Sequence, residues 1–563
     1  MRRLRNLLVC AAALGALGSG AGAQIGQPSA PLTFRTDYLG YAATLSPRVT
    51  YTDNINLESG DNADDDVILS TLLSGSGIFS SKRFTGLVSG DLGLSYLIDD
   101  DDLRLNQDVG GVGTFTIADN LLYFDVAGRS SRQLIGDIAR FSANVDAARG
   151  EQANVNSFSL SPYHFRRYSD DSSTQARYRF SQVFVGDRNS NIGGGINNFL
   201  NDSQSHEAIL AYNSGRQLDR FQYTLSLYGN DTDEEGSDLL PRFNYRQGSV
   251  FVEGQYAVTP RFSLTGALGY DEIATEAIQT FVIAGTPIDV EVPIFDDDQL
   301  SGFFWRVGFA ARPGRRSSLQ LEYGRRYDDD FINANLSYDI TQRLRLSAGA
   351  SRTFQTRAQS NTTRFQALQR NVLDFADQLR AGGEISSEGI IQLANQTAGG
   401  RVDAQTVGIG ATNGAFVNLQ GQYDRTTVTL GANYQNTDFG FRDIENIGAQ
   451  LSLNRELSRS LNAYGNVFYR RSDTTVNIDD CVAAPFLFGI PGAAGSADVI
   501  AACTGFANVN GVVSTLGGRI GASYRIYRNL SVFGEYSHTQ RFSESALLEF
   551  SENTVTAGLT LDF

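Results

Sequence analysis

Apolar and polar residues alternate with a period of two along most of this chain. In its last stretch Val555, Ala557, Leu559, Leu561 and Phe563 share one face of a strand, and Thr556, Gly558, Thr560 and Asp562 share the other. Strict alternation reads as a strand with one apolar face and does not suit a helix. The pattern begins at Ala43, Leu45, Pro47, Val49 and Tyr51. It returns in Phe221/Tyr223/Leu225/Leu227, in Phe262/Leu264/Gly266/Leu268/Tyr270, in Val428/Leu430/Ala432/Tyr434 and in Leu461/Ala463/Gly465/Val467/Tyr469. Short turns such as 80–83, 118–120, 259–261, 341–343, 424–426, 458–460 and 527–529 alternate with long polar segments at 130–152, 186–205, 230–246, 271–299, 354–404 and 471–512. A soluble sandwich also alternates, but it is not expected to keep its long loops to every second connection. The pattern predicts an all-β fold, a transmembrane antiparallel up-and-down barrel of about 22 strands, with roughly 18 to 24 acceptable. Short turns would face the periplasm and long loops the exterior, and an even count would pair the first strand antiparallel with the last.

The two ends and one insertion depart from this rhythm. Arg2, Arg3 and Arg5 precede an apolar run from Leu7 to Leu17 and then Ala21-Gly22-Ala23, the layout of a secretory signal peptide over 1–23. The run is well short of the roughly 20 residues that a spanning helix needs. Residues 24–37 read as a polar periplasmic segment and 38–563 as one barrel domain. A TonB-dependent receptor would need a sizeable plug domain before the barrel and an autotransporter a passenger, and neither is expected in so short a segment. Within 354–404, Phe365, Leu368, Val372, Phe375 and Leu379 recur at steps of three and four, an amphipathic helix stopped by Ala381-Gly382-Gly383. A second helix fits 387–396, and the pair would cover its own stripe, bind a partner or narrow the lumen.

Composition narrows the picture. The chain has 563 residues with 58 Gly, 24 Tyr and 35 Phe but 11 Pro, and a mean hydropathy of −0.22, which suits strands that are apolar on one side only. Its formal charge of −16 argues against nucleic acid as a partner. Arg48, Arg129, Arg177, Arg179, Arg306, Arg519 and Arg525 lie opposite the apolar rows of their strands, as do Asp91, Asp125, Glu253, Glu322 and Glu535. They should face the lumen, because a charge on the lipid face costs roughly 2–4 kcal/mol at mid-bilayer. Such a set either tunes a polar conduit or neutralises itself and stiffens the wall. Tyr and Phe near strand ends, with Trp305, should form the interfacial girdles.

Other candidate chemistry is sparse. Cys481 and Cys503 share the loop 471–512 and are expected to form a disulfide in an oxidising periplasm, stabilising that loop by roughly 3 kcal/mol. Acidic runs at 64–66, 99–102, 296–298 and 328–330 could share divalent ions with lipopolysaccharide or simply be solvated loop; no metal ligand set is named. His164, His206 and His538 are isolated, and His538 beside Glu535 and Ser537 is the one worth testing. No enzyme, catalytic residue, metal or cofactor is expected.

Two resemblances add to this. The terminal Phe563 resembles the C-terminal signal of bacterial outer-membrane barrels, which implies recognition by the barrel assembly machinery. The stretch Tyr51-Thr52-Asp53-Asn54-Ile55-Asn56-Leu57 with its acidic tail, then Val155-Asn156-Ser157-Phe158-Ser159-Leu160-Ser161-Pro162-Tyr163 and Tyr178-Arg179-Phe180, resembles the outer-membrane barrels associated with PEP-CTERM/exosortase and exopolysaccharide systems. That resemblance implies a porin-type barrel in the outer membrane of a Gram-negative bacterium, tied to export or assembly of extracellular polysaccharide, and carries over no catalytic residue. The expected partners are outer-membrane lipid, lipopolysaccharide, the assembly machinery and polysaccharide, with the barrel itself a monomer. Two functions follow. One is a porin-like channel for polar solutes or a conduit for polysaccharide. The other is a surface-interaction barrel with a blocked lumen, whose loops bind matrix or lipopolysaccharide.

Overall fold

The alternating runs form strands, and each strand pairs with its sequence neighbour. The computed structural model describes residues 38–134, 152–186, 202–215, 218–235, 242–282, 289–295, 300–314, 316–326, 329–355, 410–438, 442–476, 478–483, 495–509, 511–545 and 548–563. The signal peptide, the segment 24–37, the helices expected within 354–404 and the acidic run 296–298 lie outside the described residues.

The first strands are β1 (Tyr38–Thr52), β2 (Asp66–Ser80), β3 (Phe84–Leu97), β4 (Asp102–Ala118), β5 (Leu122–Leu134), β6 (Gln152–Arg167), β7 (Ser173–Gly186) and β8 (Ser203–Asn213). Next come β9 (Phe221–Glu234), β10 (Arg242–Thr259), β11 (Phe262–Val282), β12 (Asp289–Phe295), β13 (Leu300–Gly314), β14 (Ser317–Arg326), β15 (Asp329–Thr341) and β16 (Leu344–Gln355). The set ends with β17 (Gly410–Tyr423), β18 (Thr426–Asp438), β19 (Arg442–Glu456), β20 (Leu461–Val476), β21 (Val512–Tyr527), β22 (Leu530–Ser543) and β23 (Phe550–Asp562). All belong to one 23-stranded sheet, which closes because β1 pairs antiparallel with both β2 and β23. β12 pairs only with the end of β11, while β11 also pairs with β13, so the closed wall has 22 strands. The segment 271–299, expected to be a loop, is thus in part a β-hairpin standing above the rim. Alternation fades there because no lipid faces it and neither side must be apolar.

Connections at one rim are short throughout, such as 81–83, 260–261, 342–343, 424–425 and 528–529. The other rim mixes lengths: 98–101, 327–328 and 439–441 are connections of only four, two and three residues. The expected rule of long loops at every second connection holds for one rim only in this looser sense.

Burial is inverted relative to a soluble protein. In β3, Leu92, Leu94 and Tyr96 are exposed on the outer face, while Asp91, Gly93 and Ser95 are turned inward. Fully exposing one Leu to water forfeits roughly 1.5–3 kcal/mol. An outer surface carrying Leu69, Leu73, Leu105, Leu225, Leu268, Phe303, Val417, Ile520 and many more is therefore a lipid-facing surface. Tyr270 with Phe303 and Trp305 with Tyr323 form edge-to-face pairs on that surface.

The stretch Tyr51–Leu57 works as a clasp across the seam between first and last strands. Thr52 Oγ1 donates to Glu552 Oε1 at 2.9 Å. The Asp53 carboxylate accepts from the Asn553 backbone N–H and from its side-chain Nδ2, both at 2.7 Å. Asn54 Nδ2 donates to the carbonyls of Glu58 at 2.7 Å and Ser551 at 3.0 Å. Beyond it Ile55 and Leu57 pack with Ile68, Leu97 and Phe550, which stand on inward rows of β2, β3 and β23. Leu57 holds a left-handed backbone (φ 54°) to make this turn, a strained conformation for a bulky residue. Lower on the seam the β1–β23 register is interrupted between Leu45↔Leu561 and Arg48↔Gly558. Pro47 sits in that gap. Odd residues of β1 direct their backbone toward β23, as Phe563 N–H donating to Ala43 O at 2.9 Å and Asp53 N–H to Asn553 O at 3.2 Å show, so the missing N–H of Pro47 falls on the seam.

Between β20 and β21 two helices, α1 (Ile478–Ala483) and α2 (Ala497–Val509), are joined by the disulfide Cys481–Cys503, whose Cα atoms are 5.9 Å apart.

Candidate functional site: a lumen with two walls

The inward rows of β4 to β14 carry charge, and the charges are paired. Arg129 grips Asp108 with two hydrogen bonds, Nε to Oδ1 at 3.0 Å and Nη2 to Oδ2 at 2.8 Å. Asp91 stands opposite Asp108 across the β3–β4 ladder, so Arg129 neutralises one of two neighbouring carboxylates. Asp125 accepts from Thr114 Oγ1 at 2.7 Å and pairs with Arg177 Nη1 at 3.2 Å. The Arg177 guanidinium also lies 3.9 Å from the ring centroid of Tyr163, which stacks on Tyr123. Arg179 bonds Glu207, whose other oxygen accepts from Tyr228 at 3.3 Å. Farther round, Arg306 pairs with Glu253 and stands 3.9 Å from Glu322. Arg326 bonds Asp271 at 2.6 Å. Arg177 and Asp125 are only 3% and 8% exposed in their side chains, which makes this wall one where an unpaired charge would be costly.

The inward rows of β17, β18 and β19 are different. They read Thr412, Gly414, Phe416, Asn418, Gln420, Gln422; then Thr427, Thr429, Gly431, Asn433, Gln435, Thr437; then Ile444, Asn446, Gly448, Gln450, Ser452, Asn454. None is ionisable, and most are half-buried rather than sealed. Their long side chains lie flat along the sheet over glycines of neighbouring strands. A Cβ on Gly448 would meet Asn433 Oδ1 at 2.3 Å, and one on Gly431 would meet Gln450 at 3.3 Å. One on Gly349 would meet the Phe416 ring at 2.5 Å. Each of those glycines makes room for the side chain that crosses it.

Arg48 donates from Nε to Ser70 Oγ at 2.8 Å. Arg519 donates from Nε to Asn466 Oδ1 at 2.9 Å and lies 4.0 Å from Glu535. Arg525 stands on the same row near the short-turn rim, exposed. Phe563 is exposed on the outer face. His538 is separated from Glu535 and Ser537: it stands on the outer row and meets Asn553 Oδ1 at 2.9 Å, whereas both neighbours stand on the inner row. His206, also on an outer row, lies between Tyr178 and Gln204, each at 2.7 Å. Among the described residues no nucleophile, histidine and acid come together, and no group of His, Cys, Asp and Glu is arranged to hold a metal. Of the acidic runs, Asp66 accepts the N–H groups of Ile98 and Asp99, and Asp102 holds Arg104 at 2.9 Å.

Sequence reading did not single out Glu207, Asp271, Arg326, the clasp partners Glu552 and Asn553, or the amides of β17–β19. The charged ones share the parity of the inward rows and could have been added on that ground. The clasp partners and the amides carry no local signal of their role.

A closed wall with an apolar outside, a polar inside and aromatic pairs on its lipid face decides the class. The chain is an outer-membrane β-barrel. No family profile and no curated protein matches its sequence. Among solved structures it is similar to the ferric-catecholate import receptor Fiu from E. coli K12, at TM-score 0.48 and 11% identity over 93% of this chain and 82% of that one. It is similar also to the siderophore receptor PiuA from Acinetobacter baumannii, at TM-score 0.47 and 10% identity over 94% and 82%. The copper transporter OprC follows at TM-score 0.39 and 10% identity over 95% and 82%. Likeness of this degree concerns the strand arrangement, and the barrel's own hydrogen-bonded ladder carries the assignment.

Proposed function

We propose that this barrel is a porin-like channel of the Gram-negative outer membrane, conducting polar, hydroxyl-rich solutes such as saccharides. The observation that supports this is the neutral wall of β17–β19, three adjacent strands whose inward rows hold amides, hydroxyls, glycines, one aromatic ring and the buried Ile444 but no charge. A water-filled pore needs no such segregation. The link to exopolysaccharide systems rests on the sequence resemblance, and a polysaccharide or its fragments is the solute class that it and the wall have in common.

Reconstitution in planar bilayers tests this: discrete open steps, together with swelling of proteoliposomes in neutral sugars, are expected. Silence in the bilayer and no swelling would favour the second reading, a barrel with a blocked lumen and interacting loops. The feature on that side is the clasp, which turns Ile55 and Leu57 into the mouth against Ile68, Leu97 and Phe550.

A further inference from the structure

We infer that the lumen face of β17–β19 is a binding patch for a neutral saccharide chain, with Phe416 as its stacking platform and Asn433 and Gln450 as its hydroxyl partners. The inference rests on the channel reading above and names what the neutral wall would hold.

The register places these side chains together. Phe416 pairs with Asn433 across β17–β18, and Asn433 with Gly448 across β18–β19. In the adjacent inward row Asn418 pairs with Gly431, and Gly431 with Gln450. Asn446 stands one inward position from Gly448, opposite Gln435. The two rows run across the strands, so on strands tilted about 35–45° the patch climbs obliquely along the pore rather than ringing it. Three strands span about 10 Å between the outermost two, on the scale of two sugar rings.

The chemistry is selective. A sugar hydroxyl both donates and accepts, and an amide side chain can answer in either sense by turning about its soft terminal torsion. Asn433 and Gln450 are exposed on their inward rows, so their amides stand open to the lumen. The opposite wall cannot do this: its guanidinium groups only donate, its carboxylates only accept, and they are engaged with each other. Phe416 reaches across Gly349, where a Cβ would lie 2.5 Å from its ring, and gives the patch an apolar surface on which the C–H face of a pyranose can settle.

The test uses the full-length barrel in planar bilayers with maltohexaose, a neutral linear glucan, as probe. Reversible interruption of the ionic current is expected for the native protein. Phe416→Ala and Gln450→Ala should each raise the half-blocking concentration by about tenfold, Phe416→Trp should restore it, and Asp91→Asn on the charged wall should leave it unchanged. Heat-modifiable migration on gels confirms that each variant is folded. Open steps without interruption, or interruption indifferent to Phe416 and Gln450, would overturn the patch and leave the channel standing. If no steps occur the channel reading fails. Calorimetric titration of the detergent-solubilised barrel with maltohexaose then decides the patch: binding weakened by Phe416→Ala supports it, and absence of binding overturns it.

Discussion

Asp125 and Asn433 both project from the inner face of a strand, and the barrel treats them in opposite ways. Asp125 is sealed by Thr114 and Arg177, with Tyr163 covering the guanidinium. Asn433 lies over Gly448, exposed, with no ionic partner. The difference teaches that a polar lumen is not one environment. A charge must be matched by another charge before it can be buried, so the wall of β4–β14 is committed to its own internal bonds. A neutral amide carries no such obligation and stays available to whatever passes.

The largest effect should come from breaking the matched wall. Arg177→Ala leaves Asp125 buried without a cation and should cost roughly 3–5 kcal/mol, read as a marked fall in the temperature of the heat-modifiable gel transition. Asn433→Ala in the other wall should move that transition little. Next comes the covalent tie in the connection between β20 and β21: Cys481→Ser should cost roughly 3 kcal/mol of local order there. It would be read as faster protease nicking within 477–511 with barrel melting unchanged. Asp53→Ala removes both bonds to Asn553 and should cost about 1–3 kcal/mol, measured by the same transition, without changing ion selectivity. The smallest effect on stability belongs to Gly448→Ala. Its Cβ meets only the movable end of Asn433, so a shift below about 1 kcal/mol is expected, with a loss of saccharide interruption that exceeds it.

The barrel itself was legible because lipid imposes alternation on every crossing, and parity sorts Arg129 from Ser130 or Arg177 from Tyr178 without coordinates. Three things were hidden. Strand ends above the membrane lose their apolar row, so β11 ran on and β12 arose where a loop was expected. Partner choice was hidden too: Arg177 on β7 reaches Asp125 on β5, past the intervening strand, which depends on side-chain length and register rather than order in the chain. The clasp was visible as the motif at 51–57 but not as a clasp, since its partners lie at the opposite end of the polypeptide. The grouping of His538 with Glu535 and Ser537 fails by parity alone, and the sequence held enough to separate them.

Pro47 carries a consequence for the time before the cylinder exists. While the chain waits for β23, the free edge of β1 offers a row of backbone donors to any passing strand, and such edges invite intermolecular pairing. A proline at the middle of that edge withholds one donor and spoils the template at its centre. The interruption in the finished seam is therefore also a guard against the wrong partner, kept at the one place where the right partner can bridge it from both sides.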